Sequence, residues 1–133
     1  MRNKLSLAVL VATYLLTGCG PASHTVEVSP SGPKPFDKNQ PLNFATIRDS
    51  ILATNHCFDC HNKDGGAKAV LFDYASIVAE PKRWEAPAAT SRIIRSLTRT
   101  DKHRMPPSSY APALPDDEID FIKKWIDAGK PES

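Results

Sequence analysis

The stretch Cys57-Phe58-Asp59-Cys60-His61 decides how this chain is read. Two thiols spaced to share one turn are followed directly by an imidazole. The common settings for such a pair fit the surroundings poorly. A thioredoxin-like redox couple wants a βαβ unit around its C-x-x-C, and no strand pattern flanks the pair on either side. A zinc site wants four ligands, usually with a second Cys or His pair at short spacing. His24, His56 and His103 do not form one. A disulfide between Cys57 and Cys60 suits an oxidising compartment, but so short a loop gains little from closure.

The pattern is also the attachment signature of a c-type haem. Each thiol can add to one vinyl group of a single porphyrin, and His61 then lies under the iron as an axial ligand. Met105-Pro106-Pro107 offers a partner on that iron. Thioether sulfur is a soft ligand suited to haem iron, and His/Met ligation raises the reduction potential. The other methionine is Met1, so a sulfur ligand has to be Met105. The prolines restrict the Met105 backbone and stiffen the loop behind it, which lowers the entropy lost in holding sulfur near iron. His103 is the competitor two residues earlier. The proline pair after the methionine favours Met105.

With 133 residues the chain suggests one domain. Residues 1–18 read as an export signal. Arg2 and Lys4 form its positive start, and Leu5 to Leu16 form a mostly apolar run. That run is shorter than the about 20 residues a membrane span needs. Leu16-Thr17-Gly18-Cys19 resembles a bacterial lipoprotein lipobox. The resemblance implies cleavage before Cys19, acylation of that cysteine, and a lipid-anchored, periplasm-facing place in the bacterial cell envelope. Gly20, rather than Asp, follows the cysteine, which by the same resemblance favours the outer membrane. An ordinary signal peptide with an unlipidated Cys19 is the alternative.

Cysteine arithmetic agrees. Three cysteines are an odd count for a disulfide framework. One taken by lipid and two by haem leaves none over. The formal net charge is +2, and loss of Arg2 and Lys4 with the leader leaves 15 basic side chains against 15 acidic ones. Such a balance gives no support to nucleic-acid binding.

Residues 19–41 read as a lipidated cysteine and a tether, and 42–133 as the folded domain. Pro21, Pro30, Pro33, Pro35 and Pro41 interrupt any helix in the tether. As a flexible coil it spans about 25–30 Å, and stretched it reaches roughly 70 Å. A first helix is predicted over Asn43–Asn55, with Asn43 as N-cap and Phe44, Ile47, Ile51 and Leu52 as its apolar stripe. His56 reads as exposed or capping. Asn62 to Gly66 is a turn-rich loop. A short helix follows over Tyr74–Val78, capped by Asp73, and Leu71, Phe72, Tyr74 and Ile77 are candidates to line the haem pocket. Trp84, between Pro81 and Pro87, is read as packing, with the haem edge as a further candidate.

A third helix is predicted over Ser91–Leu97, with Ile93, Ile94 and Leu97 on its apolar face. Arg92, Arg95 and Arg99 share another face. With Lys82, Arg83, Lys102 and Arg104 they form a local basic excess. The default reading is a solvated face; the sharper one is a docking patch for an acidic partner, or a source of haem-propionate partners. The last helix is predicted over Asp116–Ala128. Asp116, Asp117 and Glu118 suit its N-terminal dipole. Ile119, Ile122 and Ile126 form its stripe beside Phe121 and Trp125, and Gly129 stops it.

Taken together, Phe44 to Pro131 resembles a class I, mono-haem cytochrome c domain, and its pattern is similar to the planctomycete-type cytochrome c. The residues that carry the likeness are Ile51-Leu52, Cys57-Phe58-Asp59-Cys60-His61, Phe72-Asp73-Tyr74, Met105-Pro106-Pro107, and Ile122, Trp125, Ile126 and Gly129. The resemblance implies an all-α fold of three main helices plus a short one around one covalently bound haem c. It implies thioethers to Cys57 and Cys60, with His61 proximal and Met105 distal on the iron. It also implies an electron carrier working with redox partner proteins, and no enzymatic bond chemistry. One departure stands out. Many class I cytochromes have a Gly-Pro-x-Leu segment whose carbonyl orients the proximal histidine. Here the region reads Gly65-Gly66-Ala67-Lys68-Ala69-Val70-Leu71, which leaves the partner of His61 unassigned. The alternatives are a sensor or peroxidase-like haem protein with a displaceable sixth ligand, and a redox subunit of a larger enzyme complex.

Overall fold

The structure, a computed structural model, describes residues 33–133. The export signal, Cys19 and residues 20–32 of the tether lie outside the described residues. Every regular element among the described residues is helical, and no helix among them is long and apolar enough to cross a membrane.

The chain enters the domain earlier than the composition of the tether implies. Phe36 packs edge-on against Phe121, with ring centroids 5.3 Å apart. The Lys34 N–H donates to the Asp49 carbonyl at 3.2 Å, and the Thr54 hydroxyl donates to the Lys34 carbonyl at 3.2 Å. The folded part therefore includes residues 34–36, ahead of the expected boundary at 42. A single aromatic between prolines shows no periodicity, so this docking has no signature in the sequence.

Helix α1 (Phe44–Thr46) opens at Asn43, whose side chain accepts from the Thr46 N–H at 3.0 Å. It runs directly into a π-helical segment, Ile47–Leu52, where the Ala53 N–H reaches back to the Arg48 carbonyl at 2.9 Å. The helix thus covers less chain than the periodicity predicts. Residues 53–56 are turns, and His56 takes a left-handed conformation (φ 58°) that leads into the attachment stretch. The Asn55 side chain donates to the Ile51 carbonyl at 2.9 Å and closes the helix end.

Helix α2 (Tyr74–Val78) is capped by Asp73, which accepts from both the N–H and the hydroxyl of Ser76. Helix α3 (Arg92–Thr98) is capped by Ser91. Helix α4 (Asp116–Asp127) carries three acids in its first turn. It ends in a Schellman pair: the Gly129 N–H donates to Ile126 and the Lys130 N–H to Trp125. Gly129 and Lys130 both have positive φ, 84° and 60°.

The turn after α4 ties the domain together. The Phe44 N–H and the Trp125 indole N–H both donate to the Pro131 carbonyl, at 3.0 and 2.9 Å. The Tyr74 hydroxyl donates to the Lys130 carbonyl at 2.9 Å. Inside, Trp84 and Trp125 meet edge to face at 5.9 Å, surrounded by Ile47, Ile51, Ile77, Ile122 and Ile126, all fully buried. This packing leaves one flank of α3 and α4 facing the Cys57–His61 stretch.

Candidate functional site

Cys57–Asp59 forms a single 3-10 turn. The His61 N–H donates to the Cys57 carbonyl at 3.0 Å, which keeps the five residues coiled. Cys57 is half-buried, Cys60 is exposed, and both thiols are free. The loop beyond them folds back on the turn. The Asn62 side chain donates to the Phe58 carbonyl at 2.6 Å and accepts from the N–H groups of Asp64 and Gly65. The Ala67 N–H then donates to the Cys60 carbonyl, and the Leu71 N–H to the His61 carbonyl.

This return places the Ala69 carbonyl 2.8 Å from His61 Nδ1. A carbonyl can only accept, so Nδ1 carries the proton. In a neutral ring Nε2 then keeps its lone pair free for a metal. The segment without a proline still supplies the acceptor that orients His61, through Ala69.

Cys57, Cys60, His61 and Met105 line one open cavity of about 260 Å³. Leu52, Leu71, Trp84, Ile93, Leu97 and Ile122 make its wall predominantly apolar. Met105 is 37% exposed, and its N–H is fixed to the Ser96 carbonyl of α3 at 2.8 Å. His103 is exposed and off the cavity wall; its N–H donates to Asp101. The geometry therefore brings Met105, and not His103, to the same cavity as His61.

Other expected lining residues divide. Leu71 and Trp84 are on the wall, and Trp84 also packs on Trp125. Phe72, Tyr74 and Ile77 are not. Tyr74 packs against Phe44, with its hydroxyl on Lys130. Ile77 is in the helical core, and Phe72 lies under the Lys63 ammonium at 5.8 Å. His56 is exposed, with Nδ1 3.6 Å from Asp59. In the basic run, Arg83 lines the cavity and pairs with Glu80 at 2.7 Å, and Arg99 pairs with Asp101 at 2.6 Å. Lys82, Arg92, Arg95 and Lys102 are exposed.

Three contributors lay outside the sequence reading of the site. Gly65 sits so close to the turn that a Cβ there would be 2.1 Å from the Cys60 carbonyl oxygen. Tyr110 lines the cavity and hydrogen-bonds Asp59. Glu118, read as a dipole partner only, is 7% exposed and accepts from the Asn55 amide at 2.6 Å. Burial pushes the Cys57 thiol up to about 12, and the Glu118 carboxylate pushes it in the same direction. Cys57 is thus a neutral thiol at neutral pH.

Among the described residues no group of three or more His, Cys, Asp or Glu could hold a metal ion. The cavity wall carries the His61 imidazole, the exposed His56 imidazole, the Met105 thioether and the two thiols; His61 and Met105 could hold a metal that brings its own ring, and the thiols could anchor that ring. No family model, curated protein or solved structure matches the chain.

The Gly65 contact predicts that Gly65→Ala destabilises the protein by about 1–3 kcal/mol, as overpacking against fixed backbone does. Gly66→Ala, where a Cβ meets nothing within 4 Å, is expected to cost far less. Denaturant unfolding of the two variants checks this; equal midpoints would contradict it.

Burial raises the Glu118 carboxyl above its ordinary value of 4.5. The folded state therefore holds this proton to higher pH than the unfolded chain does. Its contribution to stability is fully present below the unfolded value and is lost as pH rises through the folded one. Glu118→Gln keeps an acceptor for Asn55 and removes the titration. The stability difference between parent and variant is expected to drift against the parent across that window, and a pH-independent difference would contradict the assignment.

Proposed function

We propose that this chain is a mono-haem c-type cytochrome of the bacterial cell envelope, with the small cytochrome c fold, carrying single electrons between redox partners. The observation that carries the reading is the His61 Nδ1–Ala69 bond of 2.8 Å on a cavity whose wall also holds Cys57, Cys60 and Met105. In this reading the haem supplies the one-electron iron couple.

The chain's residues provide the rest. Cys57 and Cys60 hold the ring by thioethers. His61 would hold the iron through Nε2, and the Ala69 carbonyl fixes its ring and raises its basicity. Met105, on a loop anchored to α3, would hold the iron through sulfur, which would favour the reduced state. Leu52, Leu71, Leu97 and Ile122 keep water from the porphyrin face. With His61 and Met105 both available to hold it, the iron would change oxidation state with little rearrangement, which suits transfer rather than bond chemistry. The exposed Lys82, Arg92, Arg95 and Lys102 give an acidic redox partner a surface to approach. A lipid on Cys19 holds the domain at the membrane, with the segment after it as a leash.

Absorbance of the full exported chain, oxidised, reduced, and reduced with carbon monoxide, tests this. A c-type spectrum unchanged by carbon monoxide over the time of mixing is the expected result. A prompt shift would overturn the carrier reading in favour of a ligand-binding haem protein. No haem absorbance, from a host that matures c-type cytochromes, would return Cys57 and Cys60 to thiol chemistry.

A further inference from the structure

The loop that carries Met105 is tied down unevenly. At its start the Met105 N–H is held by the Ser96 carbonyl at 2.8 Å, and Pro106 is buried. Beyond that its bonds turn inward. The N–H groups of Tyr110 and Ala111 both donate to the Pro107 carbonyl, at 2.9 and 3.1 Å. The Arg104 guanidinium donates to the Ala111 carbonyl at 3.0 Å. These contacts give the loop a shape but do not fasten it across the cavity.

One hydrogen bond does. The Tyr110 hydroxyl donates to Asp59 Oδ2, joining residues 51 positions apart. Asp59 lies between the two cysteines, and Tyr110 lies on the cavity wall together with Met105, Pro106 and Pro107. Among the described residues it is the only hydrogen bond from the 105–111 loop to the 57–61 stretch. Among the described residues no guanidinium or ammonium is bonded to the Asp59 carboxylate; its other neighbour is His56 Nδ1 at 3.6 Å. Tyr110 is 53% exposed, so burial alone does not fix where the ring sits.

We propose that Tyr110 and Asp59 form a latch that holds the Met105 loop against the attachment stretch and governs how readily the Met105 side of the cavity opens. Tyr110 is a positioning residue in this scheme: it touches neither iron nor exchanged ligand and acts through the loop. The inference rests on the haem reading above. In reduced protein, replacing Met105 by carbon monoxide breaks an iron–sulfur bond and forms an iron–carbon bond, with no change in electron count on the protein. Its rate is limited by how often the loop lifts, so loosening the latch raises that rate without altering the ligands.

The test is the slow binding of carbon monoxide to the reduced, haem-loaded full chain, followed by absorbance from minutes to hours after mixing. Tyr110→Phe removes only the hydroxyl and keeps the half-exposed ring. It is expected to bind carbon monoxide about 3–10-fold faster than the parent, the range one modest hydrogen bond supports. Asp59→Ala should match it, and the double variant should be no faster than either single, because both remove one contact. Asp59→Asn keeps an acceptor oxygen and should restore a rate near the parent's. Unchanged rates in variants that carry haem would overturn the latch and leave the haem reading standing. Rates that add in the double variant would overturn it equally. A parent chain with no haem band would instead remove the haem reading, and the latch with it.

Discussion

The bond from His61 Nδ1 to the Ala69 carbonyl, 2.8 Å long, can form only if the eight residues after the histidine fold straight back on it. That requirement reaches through the site. Asn62 must gather the Phe58 carbonyl and the N–H groups of Asp64 and Gly65. Residue 65 must lack a side chain, because the Cys60 carbonyl occupies the place of its Cβ. Leu71 must follow closely enough to bond the His61 carbonyl and present its side chain to the cavity. Once these hold, the proton on the imidazole is on Nδ1 and the free lone pair is on Nε2. The tautomer that metal ligation needs is thus set by backbone, with no acidic side chain required.

The rest of the domain is arranged so that this segment has something to close against. The turn after α4 collects Phe44, Tyr74 and Trp125 through the carbonyls of Lys130 and Pro131. That joins both ends of the domain and the short α2 at one point. The tryptophan pair and the buried isoleucines fill the space behind. On the other flank, Leu97 and Ile122 reach the cavity from α3 and α4. The same two helices therefore serve the core on one face and the site on the other. The length of α3 also matters, since its Ser96 carbonyl holds Met105.

Much of this was legible in the residues, and the reasons are local. Asp73 has a short polar side chain before apolar periodicity and caps as read. The acid-rich start and glycine stop of α4 gave its bounds to within a residue. Cys57, Cys60 and His61 share a cavity with Met105. What was hidden depends on contacts distant in sequence or on backbone alone. The π-helical turn after Thr46 is invisible to a periodicity that tolerates either winding. Phe36 reads as part of a tether until Phe121 lies beside it. Tyr74 and Ile77 stand next to the pocket in sequence but are claimed by Phe44 and by the core. The carbonyl of Ala69 carries no side-chain signature, so no motif could have assigned it.

The central claim is that Cys57 and Cys60 hold one porphyrin covalently over the cavity that His61 and Met105 share. The measurement that reaches it most directly is the intact mass of the denatured full chain, produced with export and c-type haem maturation, beside its Cys57→Ala/Cys60→Ala form. The account predicts that the parent retains the mass of a single haem after denaturation and acid extraction, and that the double variant retains none. A parent whose mass equals that of its processed polypeptide alone would contradict it.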